Sequence, residues 1–300
     1  MKEQAAMRKQ DINWRNKLIN PVLNKEFKLR MRTPRAMWTL FFYLFAIGLM
    51  ALSAIYLTEI NSGGGQSFNP EESKVLFYFL SMAQLGLIAF MAPGLTAGVI
   101  SGEREKQTLN LLLTTQQSSA TIVLSKLVSS LSFMVLIVVS TIPVYSMMFL
   151  YGGISPSQLI LVFLFYLFIM FVLGSFGILF SSLFKRTMIS VIVTYGVTLF
   201  IFGGTALLFF VVVNMVEQNP YSNTASYSWV GHFIAWNPVA ALYSILDPSI
   251  SEQAFTVNMG SPSTKHAPMA LWQEFMIIYT VLSVIALWVG IRSLRPRLKL

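Results

Sequence analysis

Apolar residues in this chain come in long unbroken runs rather than at alternate positions or once per helical turn, and six runs stand out: 37–57, 75–99, 127–150, 159–183, 188–213 and 272–291. A helix that crosses a bilayer needs about 20 such residues. Each run therefore predicts one span, and the expected fold class is all-α, a polytopic membrane protein with six transmembrane helices. The connections are short, so residues 1–300 read as one membrane domain, with no stretch of the roughly 100 residues that a separate catalytic domain would occupy.

The connections carry their own patterns. Residues 58–74 include Gly63, Gly64 and Gly65, and residues 151–158 include Gly152, Gly153 and Pro156. Residues 214–271 form a loop too long for a simple connector. Within it, Asn237 followed by Pro238 predicts an N-cap and a first helical position, and the apolar run to Leu246 contains Tyr243 and Ser244. The expectation is a short interfacial or re-entrant helix over 238–246, or else an ordinary lid over the bundle. Pro93 and Pro143 predict kinks in the second and third spans. Gly94, Gly98 and Gly102 recur on one helix face, where a second backbone can approach closely, within the chain or across a dimer.

Composition sharpens the membrane reading: 55% hydrophobic and 11% charged residues exclude a water-soluble globular chain. The net charge of +9 is sorted by loop. Nineteen of the 21 Lys and Arg fall in 1–36, 100–126, 185–186 and 292–300, against Lys74 and Lys265 on the other side. By the positive-inside rule both termini are cytoplasmic. The basic balance thus predicts contact with membrane lipids and no nucleic acid. The first 36 residues are strongly charged and the run after them exceeds the h-region of a signal peptide, so it is expected to remain as the first span.

Chemistry is sparse. The chain has no cysteine, and His232 and His266 fit no metal-binding spacing, so no metal site is expected. Glu274 is the one ionisable residue inside the expected spans, paired with His266 by sequence proximity only. Ion-coupled transporters need buried relays, and an intramembrane enzyme needs a nucleophile with a base, a carboxylate pair or a metal. No catalytic residue is expected. Ser129, Ser130, Ser132, Ser140 and Thr141 in the third span, with Thr194, Tyr195, Thr198 and Thr205 in the fifth, either line a path or bond back to their own helices.

After the second span comes the segment Ser101-Gly-Glu-Arg-Glu-Lys-Gln-Thr-Leu-Asn-Leu-Leu-Leu-Thr-Thr-Gln116. Glu103 and Glu105 are expected in a helical first turn, and Leu109, Leu112 and Leu113 form one apolar stripe. A cytoplasmic amphipathic helix suited to a partner's groove follows. This string resembles the ERE-x-x-TLE-x-LL-x-TP signature of permease subunits of ABC exporters of the ABC-2 family, with Gln107 where a glycine is usual, Asn110 for the third glutamate and Gln116 near the proline. Upstream, the segment Asn20–Trp38 resembles the family's N-terminal amphipathic helix, with Lys25, Glu26, Lys28, Arg30 and Arg32. The segment Trp236–Tyr243 resembles the Asn-Pro segment that many members carry on the outer side.

The resemblance implies a coupling helix contacting a separate ABC ATPase subunit, with Glu103, Arg104, Glu105, Thr108, Leu109, Leu112 and Leu113 transmitting force. It implies two ATPase copies and a second permease half, identical or related. The chain has no G-x-x-x-x-G-K-[ST] phosphate loop, and Ser62–Ser67 lacks the lysine, so no cofactor is expected here and ATP with Mg belongs to the partner. The expected function is export of a peptide, lipid or hydrophobic small molecule, with Asn237, Pro238 and Tyr243 as an outer gate. The alternative is a non-transporting membrane anchor that recruits an ABC ATPase for signalling, immunity or remodelling. The expected location is a bacterial plasma membrane.

Overall fold

The computed structural model describes residues 33–61, 70–108, 118–150, 154–217, 231–255 and 269–294. Six helices there are long and apolar enough to cross a membrane. The first is Pro34–Asn61; the second is Pro70–Thr96, continued by Ser101–Glu105; the third is Ser119–Val139, continued by Ile142–Leu150. The fourth is Pro156–Leu183, the fifth runs from Thr187 to Glu217 and the sixth is Leu271–Leu294. Each overlaps the apolar run that predicted it. The third begins at Ser119, well before the expected 127, and so brings Lys126 inside a span where only Glu274 had been expected to ionise.

Local chemistry sets the ends and breaks. Ser118 caps the third span by accepting from the Thr121 amide, and Ser155 caps the fourth from the Gln158 amide, with Pro156 at the first helical position. The third span breaks at Ser140 and Thr141, just before Pro143, whose missing N–H cannot continue the ladder. The Thr141 hydroxyl bonds back to the Val138 carbonyl at 2.6 Å and accepts from Gln84 Nε2 at 3.1 Å, so the second span holds the break from the side. The fifth span widens into a π turn at Phe200–Gly204, a bulge that the hydrophobic pattern does not reveal.

The fourth span packs against the second, third, fifth and sixth. Its interior side includes Phe165, Tyr166, Ile169 and Met170, all buried with Phe77 and Leu80 of the second span and Phe275 of the sixth. The first and fifth spans are the least buried: Trp38, Phe41, Phe45, Leu49 and Leu52 of the first are exposed, as are Ile192, Leu199, Leu207 and Phe210 of the fifth. Lipid tails are as apolar as these side chains, so such faces cost nothing in a bilayer. Most span hydroxyls bond back to their own helix, as Ser130, Ser132, Ser140, Thr194, Thr198 and Thr205 do. That is the packing alternative rather than the solute-lining one.

Candidate coupling site

Three consecutive charged residues at the end of the second span reach three different spans. Lys126 of the third donates its ammonium to Glu103 Oε1, with the Lys126 side chain 3% exposed. Arg104 donates from Nη2 to the Ser182 carbonyl at 3.0 Å and from Nη1 to the Phe184 carbonyl at 3.2 Å. These lie at the C-terminal end of the fourth span, where carbonyls lack helical partners and a cation suits the dipole. Glu105 accepts from the Thr187 amide at 2.8 Å and the Thr187 hydroxyl at 2.7 Å. Arg186, in the N-cap position of the fifth span, makes no side-chain cap. Glu105 supplies that cap from across the chain.

Glu103 and Arg104 therefore point into the bundle, while Glu105 is exposed and reaches along its surface to Thr187. They close a short helix, Ser101–Glu105, which ends at Lys106, and Gln107 then adopts the left-handed φ of 59°. This corrects the expectation that Glu103 and Glu105 open the same helix as the leucine stripe: Glu103 stands in a helical first turn, but that helix stops before Gln107, and the partners of the two carboxylates lie on the third and fifth spans. Glycine takes a left-handed φ without the clash that a Cβ brings, which explains why the family pattern favours glycine where Gln107 stands. Thr108 donates its hydroxyl to the Glu103 carbonyl at 3.2 Å and ties the reversal together. Leu109, Leu112 and Leu113 lie outside the described residues, as do Lys25, Glu26, Lys28, Arg30 and Arg32.

The second span is seated on the fourth and fifth by small residues and hydroxyls. Between Thr96 and Ser101 the helix loosens into a turn. The Ile100 and Ser101 amides both donate to Ser181 Oγ, at 2.8 and 2.9 Å, while Ser190 donates to the Ala97 carbonyl at 2.6 Å. A Cβ on Gly94 would lie 3.0 Å from the Tyr195 hydroxyl oxygen, and one on Gly98 would lie 3.1 Å from Thr187 Cγ2. The glycine face thus meets the fifth span within the chain, and Gly102 is looser, with Thr187 Oγ1 3.8 Å away. A tighter approach lies elsewhere: a Cβ on Gly177 of the fourth span would overlap Thr96 Oγ1 and stand 2.7 Å from Thr96 Cβ.

At the opposite end, Gly231–Ile234 and Pro238–Leu246 form a helical hairpin with its turn at Ala235–Asn237. Asn237 accepts from the Val239 and Ala240 amides as the N-cap, and donates from Nδ2 to the Phe202 carbonyl at 2.7 Å and to Thr205 Oγ at 3.0 Å. Phe202 lies within the π turn. Thr205 opens the helix that ends at Glu217, so the tip reaches about 18 Å down the fifth span. Tyr279 of the sixth span donates to the Trp236 carbonyl at 3.0 Å. The far end, Leu246, accepts from Tyr78 and Gln158, each near the start of its span. The segment dips into the bundle instead of lying flat. Tyr243 stacks edge-on against Tyr78, with ring centroids 6.1 Å apart. Glu274 meets His232 Nδ1 at 2.8 Å, which replaces the proximity pairing with His266, a residue outside the described ones.

Sequence reading missed Lys126, Ser181, Thr187 and Gly177. The short spacing of Gly174 and Gly177 was a usable signal for close packing, whereas the partners of Glu103 and Glu105 lie on other spans, at Lys126 and Thr187. Among the described residues, no three His, Asp or Glu gather to hold a metal.

Six apolar helices long enough to cross a membrane, with a charged cluster at one end of the bundle and two short helices joined at Asn237 packed into the other, define a multi-pass membrane protein. Residues 20–295 match the family described as ABC-2 family transporter protein, and the chain belongs to that family. It is an ABC-2 transporter membrane component, of a kind typically non-catalytic and generally paired with ABC ATPase subunits. No curated protein matches it in sequence.

Proposed function

We propose that this chain is the permease subunit of an ABC exporter and converts ATP hydrolysis on separate ATPase chains into movement of its spans. The carrying observation is the fan of contacts from Glu103, Arg104 and Glu105 to the third, fourth and fifth spans. A force applied at 101–116 reaches four spans at once through short, directional bonds. In this reading the Glu103 end and both termini are cytoplasmic in a bacterial plasma membrane. Leu109, Leu112 and Leu113 dock in an ATPase groove, and two ATPases with bound ATP and Mg serve this chain and a second permease half.

Outward opening between the second and fifth spans then requires the Tyr195 bond to the Phe90 carbonyl, 2.9 Å, and the Gly94 contact to part. The Asn237–Tyr243 hairpin is the gate at the other end, hinged on its bonds to Phe202 and Thr205. The absence of ionisable groups from the middle of the described spans suits a peptide, lipid or hydrophobic small molecule. The test is expression with the neighbouring genes and co-purification of an ATPase, followed by ATP hydrolysis and transport in vesicles. Leu109→Asp with Leu112→Asp is expected to release the ATPase. Retention of the ATPase by that variant refutes the docking surface, and a bound ATPase without transport of any tested solute refutes the exporter in favour of a membrane anchor.

A further inference from the structure

The turn between the fourth and fifth spans is Phe184-Lys185-Arg186, and the coupling segment holds it from both sides. Arg104 donates to the Phe184 carbonyl at 3.2 Å and to the Ser182 carbonyl at 3.0 Å just before it, and Glu105 takes the Thr187 amide and hydroxyl just after it, at 2.8 and 2.7 Å. Between these brackets the Lys185 and Arg186 side chains are exposed, as is Lys106 at the end of the helix Ser101–Glu105. Among the described residues no hydrogen bond or ion pair takes up any of these three side chains, and Arg186 acts on Glu105 only through space. The carboxylates at this end are already spent, Glu103 on Lys126 and Glu105 on Thr187. Residues 101–126 and 182–190 contain five Lys and Arg against those two acids, so Lys106, Lys185 and Arg186 are the cations left over.

We propose that Lys106, Lys185 and Arg186 form a second docking surface for the ATPase subunit, one that takes a carboxylate-rich patch beside the groove that takes the leucine stripe. The inference rests on the exporter reading and adds to it the chemistry of the partner's surface. An apolar stripe supplies affinity but is non-directional, whereas fixed charges beside it set register and reject wrong partners. The turn suits that task because its backbone is pinned before and after the two basic residues, so that docking has to order only their side chains. Its position favours a protein over lipid headgroups. The fourth span packs against the second, third, fifth and sixth, so its C-terminal end emerges among them and away from the lipid-facing rim. A cation that serves headgroups needs only a long side chain that reaches the interface, with no pinned backbone. The brackets also give the contact a mechanical sense: a pull on 185–186 passes through Arg104 and Glu105 into the second span.

The experiment takes the full chain with the ATPase that co-purifies with it and treats the complex with a carbodiimide, which joins an amine to a carboxylate in contact with it; digestion and mass spectrometry then map the new amides. An amide between Lys185 and an Asp or Glu of the ATPase is expected. Lys185→Arg should lose that amide and bind as before, since the charge is kept. Lys185→Gln with Arg186→Gln, which leaves the Glu105 bonds to Thr187 in place, should weaken ATPase binding about tenfold at roughly 50 mM salt and less than about twofold at roughly 500 mM, where screening is strong. An ATPase that is released by Leu109→Asp with Leu112→Asp, yet binds the double glutamine variant as tightly as wild type or gives no amide at Lys185, overturns this proposal and leaves the exporter reading standing. A chain that captures no ATPase overturns both. Loss of bound phosphatidylglycerol from the double glutamine variant in native mass spectrometry, with ATPase affinity unchanged, gives the surface to lipid and overturns the proposal equally.

Discussion

The ion pair between Glu103 and Lys126 tests the clamp most sharply, because its two ends are unequal. The Lys126 side chain is 3% exposed and that of Glu103 26%. Glu103→Gln removes the carboxylate to which the buried Lys126 ammonium donates. Breaking a fully buried pair in this way costs about 3–5 kcal/mol, and the partial solvation of Glu103 lowers the expectation to about 2–4 kcal/mol. Lys126→Met leaves instead a carboxylate that can turn toward water, at a cost of about 1 kcal/mol. The double variant replaces the pair by an amide and a thioether of similar volume, an exchange that is often near neutral. The single costs sum to about 3–5 kcal/mol while the double variant is near neutral, so they should fail to add, with a coupling of about 3–5 kcal/mol. Unfolding by SDS titration in mixed micelles, followed by tryptophan fluorescence, measures all four proteins. Additivity within about 0.5 kcal/mol, or a costlier Lys126→Met than Glu103→Gln, refutes the reasoning.

The other predictions use the same unfolding assay. Gly177→Ala places a methyl against Thr96 Cβ and the nearby Ala97 amide and should cost about 1–3 kcal/mol by overpacking, whereas Gly94→Ala meets only the end of the Tyr195 side chain and should cost less. Gln107→Gly removes left-handed strain of about 1–2 kcal/mol against an entropy cost of about 0.5–1 kcal/mol, so a net gain near 0.5–1 kcal/mol is expected. Gln107→Val should destabilise. Asn237→Ala deletes an N-cap and strands the Phe202 carbonyl, for an expected loss of about 2–4 kcal/mol, and equal stability of this variant and the wild type would remove the hairpin's anchor.

Six spans, their order, the break before Pro143 and the short helix after Asn237 were legible in the sequence, because in lipid the backbone must satisfy itself and long apolar runs have one way to do so. The family resemblance rested on Glu103, Arg104 and Glu105, also legible as a string. Their direction was not. A stretch of sequence shows that charges cluster, and helix-dipole reasoning placed them at the head of the leucine helix. The structure turns Glu103 and Arg104 inward and Glu105 along the surface because Lys126, the carbonyls at Ser182 and Phe184 and the uncapped start at Thr187 meet them from three other spans. The same holds at the other end: Asn237 announced a cap, but its bond to the Phe202 carbonyl in the π turn of the fifth span is visible only in the tertiary structure. Hydrophobic run length fixes what crosses the membrane, since it is a property of each segment alone. Partners for buried polar groups are a property of segments brought together, and only the tertiary structure decides them.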